Sequence, residues 1–188
     1  MDDQLWVFGY GSLMWRPGFE FEERCEALMH GVHRRLCIYS HVHRGTPEKP
    51  GLVLGLDKGG KCRGIGYRVA PSRRQATLDY LREREQVTMV YKEVWRNMVV
   101  WRTGGGHRVR ALVYVVDQSH DQYAGKRTAR ELLPFVLQGH GKGGPCIDYI
   151  AATLEHIREQ GFTDPHMEEV LALACSAAVS GGQSVEQR

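Results

Sequence analysis

The sequence predicts an α+β fold, and three observations carry that expectation. Apolar stretches rich in β-branched and aromatic residues recur from Trp6 to Val116. One helical pattern, opening at Pro71, interrupts them. From Lys126 the periodicity is helical almost to the end of the chain. Strands with one inserted helix, then helices, make segregated rather than alternating layers. The 188 residues suit one domain, expected over 1–179, followed by a flexible polar tail over 180–188. That length buries a sizeable core without disulfides or metals.

Trp6-Val7-Phe8-Gly9-Tyr10-Gly11-Ser12-Leu13 starts as a buried strand and ends in a sharp turn. Gly9 and Gly11 allow positive φ and close approach to the main chain, and Ser12 adds a small hydroxyl. A polar connection over 16–24 leads to a strand pattern from Cys25 to Tyr39. The stretch from Ser40 to Gly51, with its prolines, glycines, His41, His43 and Arg44, is a loop. Leu52–Asp57 and Cys62–Val69 are strands on either side of an expected hairpin turn at Lys58-Gly59-Gly60-Lys61. Gly64 and Gly66 share one face of the second strand, which implies close packing as in a small barrel.

A helix is expected from Pro71-Ser72 to Glu85, with Ala76, Leu78, Tyr80 and Leu81 as its apolar stripe. Val87–Trp101 and Val109–Val116 are strands turned by Gly104-Gly105-Gly106. Lys126–Gly139, Cys146–Gln160 and Pro165–Ala178 are helices, the last with Asp164 as N-cap and proline at N1.

Composition narrows the function. Hydrophobic residues at 42% and charged residues at 25% are ordinary globular values. A net charge of +3 is too weak to argue for nucleic acid, and no apolar run is long enough to span a membrane. Five cysteines without a C-x-x-C fit reduced thiols in a cytoplasmic protein.

The turn after Phe8 presents consecutive backbone N–H groups, a concavity suited to carboxylate or phosphate. Met14 stands where a dinucleotide fingerprint needs its third glycine, and no Gly-Lys-Ser/Thr occurs, so a small acid fits better than a nucleotide. The plain alternative is a structural turn. Glu83 and Glu85, two apart, cannot share a helix face, so one can point inward while the other meets water. Arg-Glu-Arg-Glu also reads as a solvated helix end with local ion pairs.

His30 with His33, and His41 with His43, lack an obvious third ligand, so no metal is expected. Ser12 is outside any G-x-S-x-G motif, and no cysteine carries a protease signature. Trp95-Arg96 and Trp101-Arg102 could stack bases, although strand aromatics usually serve the core.

These segments together resemble a known family. Trp6–Pro17 is similar to the opening of the ChaC-type γ-glutamylcyclotransferases. Arg44-Gly45-Thr46-Pro47-Glu48-Lys49-Pro50-Gly51-Leu52-Val53, Cys62–Val69, Tyr80-Leu81-Arg82-Glu83-Arg84-Glu85 and Gly143–Ile150 resemble its later motifs, in the same order. The likeness runs from about Trp6 to the helix near Ala174.

The resemblance implies a small mixed β-barrel flanked by helices. It implies cleavage of glutathione to 5-oxoproline and cysteinylglycine without metal or cofactor. It implies that Phe8, Gly9, Tyr10, Gly11, Ser12 and Leu13, with Tyr149 of the late segment, bind substrate, and that Glu85 is the acid/base group. Gly11 is then expected either at positive φ or against the bound γ-glutamyl group. Family members commonly place a glycine soon after that glutamate, whereas Gln86–Tyr91 has none.

A γ-glutamyl amide carries its own nucleophile, so the reaction needs orientation and two proton transfers, not an enzyme nucleophile. A γ-glutamylcyclotransferase acting on other γ-glutamyl amines or peptides, or a catalytically silent γ-glutamyl-binding or protein-interaction module, are the competing readings. The oligomeric state stays open. Glutathione is the expected partner, with neither nucleic acid nor membrane.

Overall fold

The structure, a computed structural model, describes residues 4–86 and 88–182. Strands β1 (Leu5–Gly9), β2 (Glu23–Ser40), β3 (Gly51–Val69), β4 (Tyr91–Arg102) and β5 (Gly105–Val116) close into a barrel in the order β1-β3-β2-β4-β5. β1 pairs antiparallel with β3 and parallel with β5, so the barrel is mixed. Helices α1 (Arg74–Glu85), α2 (Ala129–Gln138), α3 (Cys146–Glu159) and α4 (Pro165–Gly182) and a short ribbon, β6 (His140–Gly141) with β7 (Gly144–Pro145), complete the α+β fold.

The chain packs as two units. The first holds the residues up to Arg34 together with Gly55–His120, and the second holds Arg35–Leu54 together with the residues from Asp121. β2 and β3 run unbroken through both.

In the first unit the barrel core gathers Trp6, Phe8, Ala27, Met29, Leu56, Met98, Val100, Ala111 and Val113. β1 is buried at every position, as its run without polar alternation requires. The close packing expected at Gly64 and Gly66 is present. A Cβ on Gly66 would lie 3.0 Å from Met98 Cε and 3.1 Å from Val100 Cγ1, and one on Gly64 would lie 2.9 Å from Phe8 Cζ.

The expected hairpin at Lys58–Lys61 does not form. Gly59 and Gly60 adopt φ of +99° and +72°, but the chain continues through them as one strand. A hairpin needs its two halves to pair with each other, whereas β3 lies between β1 and β2 in the barrel, so both of its edges are taken by other strands. In α1 the buried positions are Thr77, Leu78 and Leu81. Ala76 is exposed, because the three- and four-residue spacing from Leu81 selects Leu78 and Thr77.

In the second unit α2, α3 and α4 pack on one another. A capping box between Thr128 and Glu131 starts α2 at Ala129, later than the composition predicts. Asp164 caps α4 as expected, its Oδ1 accepting from the Met167 N–H at 3.1 Å. α4 continues through Gly182, so Ser180, Gly181 and Gly182 are helical rather than tail. The rest of the expected tail and Val87 lie outside the described residues. Among the described residues no helix is long and apolar enough to cross a membrane.

Two of the family-like motifs meet here, backbone against backbone. The Lys142 N–H donates to the Val42 carbonyl at 2.9 Å and the Gly143 N–H to that of His43 at 2.8 Å. A Cβ on Gly45 would lie 2.6 Å from the carbonyl oxygens of Lys49 and Ser40, and one on Gly139 would lie 2.6 Å from Gly51 Cα.

These contacts give a stability prediction. Gly45→Ala forces backbone apart and should destabilise by about 3 kcal/mol or more, the upper range for overpacking. Gly125, at φ +77° with open space around it, should lose only about 1 kcal/mol as alanine, the cost of a left-handed backbone. Denaturant unfolding of the two variants checks the order.

Candidate active site

β1 ends at Gly9, and a 3-10 turn at Ser12–Met14 follows at once. A Cβ on Gly9 would lie 3.1 Å from Leu13 Cβ and 3.3 Å from the Met14 nitrogen, so Gly9 lets the turn fold back on the strand end. Gly11 has φ −128°, so of the two expectations for it the positive φ is not the one met, and a place against the bound γ-glutamyl group is the other. As first residues of a helical turn, Ser12 and Leu13 have no intrahelical acceptor for their N–H groups. Phe8, Tyr10 and Leu13 are buried, and Ser12 is exposed.

Two side chains brace this turn. Arg34 Nε donates to the Tyr10 carbonyl at 2.5 Å, and its Nη2 donates to the Arg63 carbonyl at 2.8 Å. The Tyr67 hydroxyl lies 2.9 and 2.8 Å from the carbonyl oxygens of Leu13 and Met14 and shares its proton between them.

The other part of the site is the end of α1. Glu83 is exposed, while the Glu85 side chain is only 16% exposed, so the inward carboxyl is Glu85. Burial raises its pKa above the usual glutamate value, and the Arg84 guanidinium only partly opposes the shift.

Arg84 joins the two parts. Its Nη2 donates to Ser12 Oγ at 2.9 Å, its Nε lies 3.2 Å from Glu85 Oε1, and its Nη1 donates to the Arg16 carbonyl at 2.6 Å and the Tyr80 hydroxyl at 2.9 Å. One guanidinium thus touches both the serine of the turn and the carboxyl of the helix. Because the Ser12 oxygen accepts from Arg84, its O–H proton is available to donate elsewhere. Gly18, at φ +75°, sits beneath the Tyr80 hydroxyl with no room for a side chain.

Sequence reading did not find Arg84, because an Arg-Glu-Arg-Glu run looks like a solvated helix end. The signal was its place in the Tyr-Leu-x-x-Arg-Glu motif. The missing glycine after Glu85 has a structural counterpart. Met89 takes φ +57° with its side chain in solvent, a left-handed conformation that costs about 1 kcal/mol for a residue other than glycine.

Tyr149 belongs to the second unit and is described with it. Its hydroxyl accepts from the Leu54 N–H at 3.2 Å, and Arg44 stacks over its ring at 5.1 Å. The Arg44 guanidinium also donates to the Gly143 carbonyl. The neighbouring Cys146 Sγ lies 3.3 Å from both the amide nitrogen and the carbonyl oxygen of Leu52. His33 Nδ1 lies 3.0 Å from the Gly59 carbonyl, and His43 lies exposed on the loop before β3. Among the described residues no three His, Cys, Asp or Glu side chains converge. Trp95 has Arg74 and Arg110 over its ring at 5.5 and 5.7 Å, so its π-surface serves cation stacking.

A barrel carrying a glycine-serine turn, tied through an arginine to a mostly buried carboxyl, has the outline of an acid/base site. Residues 5–176 match the ChaC-like protein family, and the chain belongs to that family. It is 31% identical over 167 residues to the glutathione-specific γ-glutamylcyclotransferase of Escherichia coli strain K12, covering 89% of this chain and 71% of that protein. It is also 31% identical over 173 residues to glutathione-specific γ-glutamylcyclotransferase 1 of Danio rerio, covering 89% and 87%. The fold is similar to a solved yeast γ-glutamyl cyclotransferase specific to glutathione, with a TM-score of 0.79 at 22% identity over 92% of this chain and 96% of that one.

Glu85 should oppose stability where it is charged. With its folded pKa above the unfolded value, its favourable contribution is complete below the unfolded pKa and is lost as pH rises through the raised folded value. Glu85→Gln should therefore gain stability over wild type as pH climbs from 4 to 8, and thermal unfolding across that range reads the difference.

Proposed function

We propose that the protein is a glutathione-specific γ-glutamylcyclotransferase, releasing 5-oxoproline and cysteinylglycine, with Glu85 as general acid/base. The observation that carries this reading is the Glu85 carboxyl itself. It is mostly buried at the end of α1, with raised proton affinity, and it shares Arg84 with Ser12 of the turn. Membership of the ChaC-like family and the two relatives named above support the substrate.

In this mechanism the turn from Gly9 to Leu13 holds the γ-glutamyl α-carboxylate on its amides, with Phe8 and Tyr10 behind it, and Tyr149 also serves binding. Holding that carboxylate brings the α-amine to the γ-carbonyl. The ionised Glu85 takes a proton from the α-ammonium. The freed amine attacks the γ-carbonyl carbon and closes a five-membered ring. The departing nitrogen takes the proton held by Glu85 as the C–N bond breaks, and the ring nitrogen gives up its second proton to the same amine, leaving 5-oxoproline and the ammonium of cysteinylglycine. A carboxyl with a raised pKa suits both transfers, since its carboxylate is a stronger base and its acid form is populated nearer neutrality.

Residues 1–179 act in this reading as one domain, since two of the strands are common to both units. A cytoplasmic setting follows from the substrate and from five free cysteines.

Three activity predictions test the reading, all by steady-state release of 5-oxoproline from glutathione. Glu85→Gln should lose roughly 10²–10⁴-fold in kcat, the usual worth of general acid/base catalysis, while Glu83→Gln stays near wild type. Exchanged phenotypes would move the base to Glu83. Wild-type kcat/KM should also fall with decreasing pH at a limb above the ordinary glutamate range, because the carboxylate form is the base.

Gly11→Ala should reduce kcat/KM on the order of 10²-fold in folded protein by displacing the bound carboxylate. Ser12→Ala should cost less, because the backbone donors remain. A folded Gly11→Ala enzyme with wild-type kcat/KM would remove the turn from the site.

A further inference from the structure

The turn at the end of α1 that carries Glu85 is held by a second arrangement which the mechanism above does not use. Glu93 on β4 and Tyr114 on β5 are cross-strand partners. The alternate positions Val94 and Val113 face the barrel core, so Glu93 and Tyr114 point to the outer side of the sheet. There Arg82 of α1 meets Glu93 with two parallel hydrogen bonds, Nε to Oε2 at 2.8 Å and Nη2 to Oε1 at 3.0 Å. The Tyr114 hydroxyl, on a residue only 2% exposed, donates to Glu93 Oε2 at 3.3 Å.

Arg82 lies three residues before Glu85, the helical spacing that makes side chains neighbours. A guanidinium there would favour ionised Glu85 if nothing opposed it. In the structure it is turned away to Glu93, whose side chain is 18% exposed. Asp79 adds a weaker contact to Arg82 at 3.8 Å.

We infer that Arg82, Glu93 and Tyr114 form a positioning relay that fixes the last turn of α1 on β4 and keeps the Arg82 charge from acting on the Glu85 carboxyl. The electrostatic pattern agrees. The charge that lowers the Glu85 pKa is that of Arg84, while Tyr114 feels Glu93, Glu85 and Arg82 together. Arg84 of its own helix and Tyr114 of β5 interact with Glu85 directly, and Arg82 and Glu93 both act on that same tyrosine. A structural clamp alone would loosen the helix end when either partner is lost, with the same effect from both sides. A charge relay makes the two losses opposite in sign.

The inference rests on the catalytic reading of Glu85, and two readouts separate the two. One is the acid limb of kcat/KM for 5-oxoproline release. The other is direct ¹³C NMR titration of the Glu85 carboxyl in labelled protein, which needs no substrate. Glu93→Gln leaves the Arg82 cation uncompensated one helical turn from Glu85, so both readouts should move to lower pH, by about 0.5 unit for a partly screened charge. Arg82→Gln leaves the Glu93 carboxylate uncompensated, so both should move to higher pH by a similar amount. The double variant Arg82→Gln/Glu93→Gln should return both to within about 0.3 unit of wild type, as paired charges cancel.

Shifts of the same sign, no shift in folded single variants, or a double variant that keeps a shift would each overturn the relay. Should Glu93→Gln not fold, Arg82→Gln alone decides the sign, its side chain being 45% exposed and replaceable at the surface. A wild-type protein that releases no 5-oxoproline would remove the catalytic reading, and the NMR titration would still decide the relay.

Discussion

Arg84 is the interaction on which the site depends. The turn after β1 and the last turn of α1 are distant in sequence. The guanidinium spends its donors on Ser12, on Tyr80 and on the Arg16 carbonyl, and rests its charge against Glu85. Hydrogen bonds from a charged group contribute about 1.5–3 kcal/mol each, toward the lower end for a group that still meets water. Several of them converging on one side chain outweigh the rotamer entropy of ordering it, about 2 kcal/mol for arginine. A lysine at this position could carry the charge but could not reach several acceptors in one plane.

The same arrangement explains how a folded protein tolerates a mostly buried carboxyl. Burial disfavours the charged form of Glu85, and one cation beside it offsets only part of that. The result is a group poised to gain and lose a proton, at some expense in stability. Compensation comes from elsewhere in the unit, where Tyr67 satisfies the carbonyls of the turn and Arg34 holds the opposite side of it. The polar groups around the turn are thus arranged to hold one geometry, while the apolar barrel supplies the rigidity behind them.

The second unit obeys a different constraint, that of backbone meeting backbone. Gly45 and Gly51 in one segment and Gly139 and Gly141 in another lie where a Cβ would collide with main-chain atoms. Main-chain hydrogen bonds from Lys142 and Gly143 replace side-chain packing there. The Arg44-Gly45-Thr46-Pro47 motif is therefore legible as a packing motif as well as a family mark, with Arg44 set over Tyr149 and against Gly143.

The sequence by itself determined the strand region followed by helices, the glycine-serine turn and the Asp164 cap, because each is a local pattern of period, propensity or spacing, and the motif ending in Glu85 was legible as a family resemblance. It did not decide between a hairpin and a continuous strand at Gly59-Gly60, since positive φ permits either and only the partner strand selects one. It did not show why Gly9 needs to lack a side chain, since that depends on Leu13 folding back over it. Spacing alone did not tell Glu85 from Glu83, a choice only the family resemblance made, nor a surface arginine from the one that joins the site. Those distinctions belong to the tertiary structure. A charge run on a helix has the same local pattern whether it meets water or a turn some seventy residues away, and the side it shows to each is set only when the helix packs.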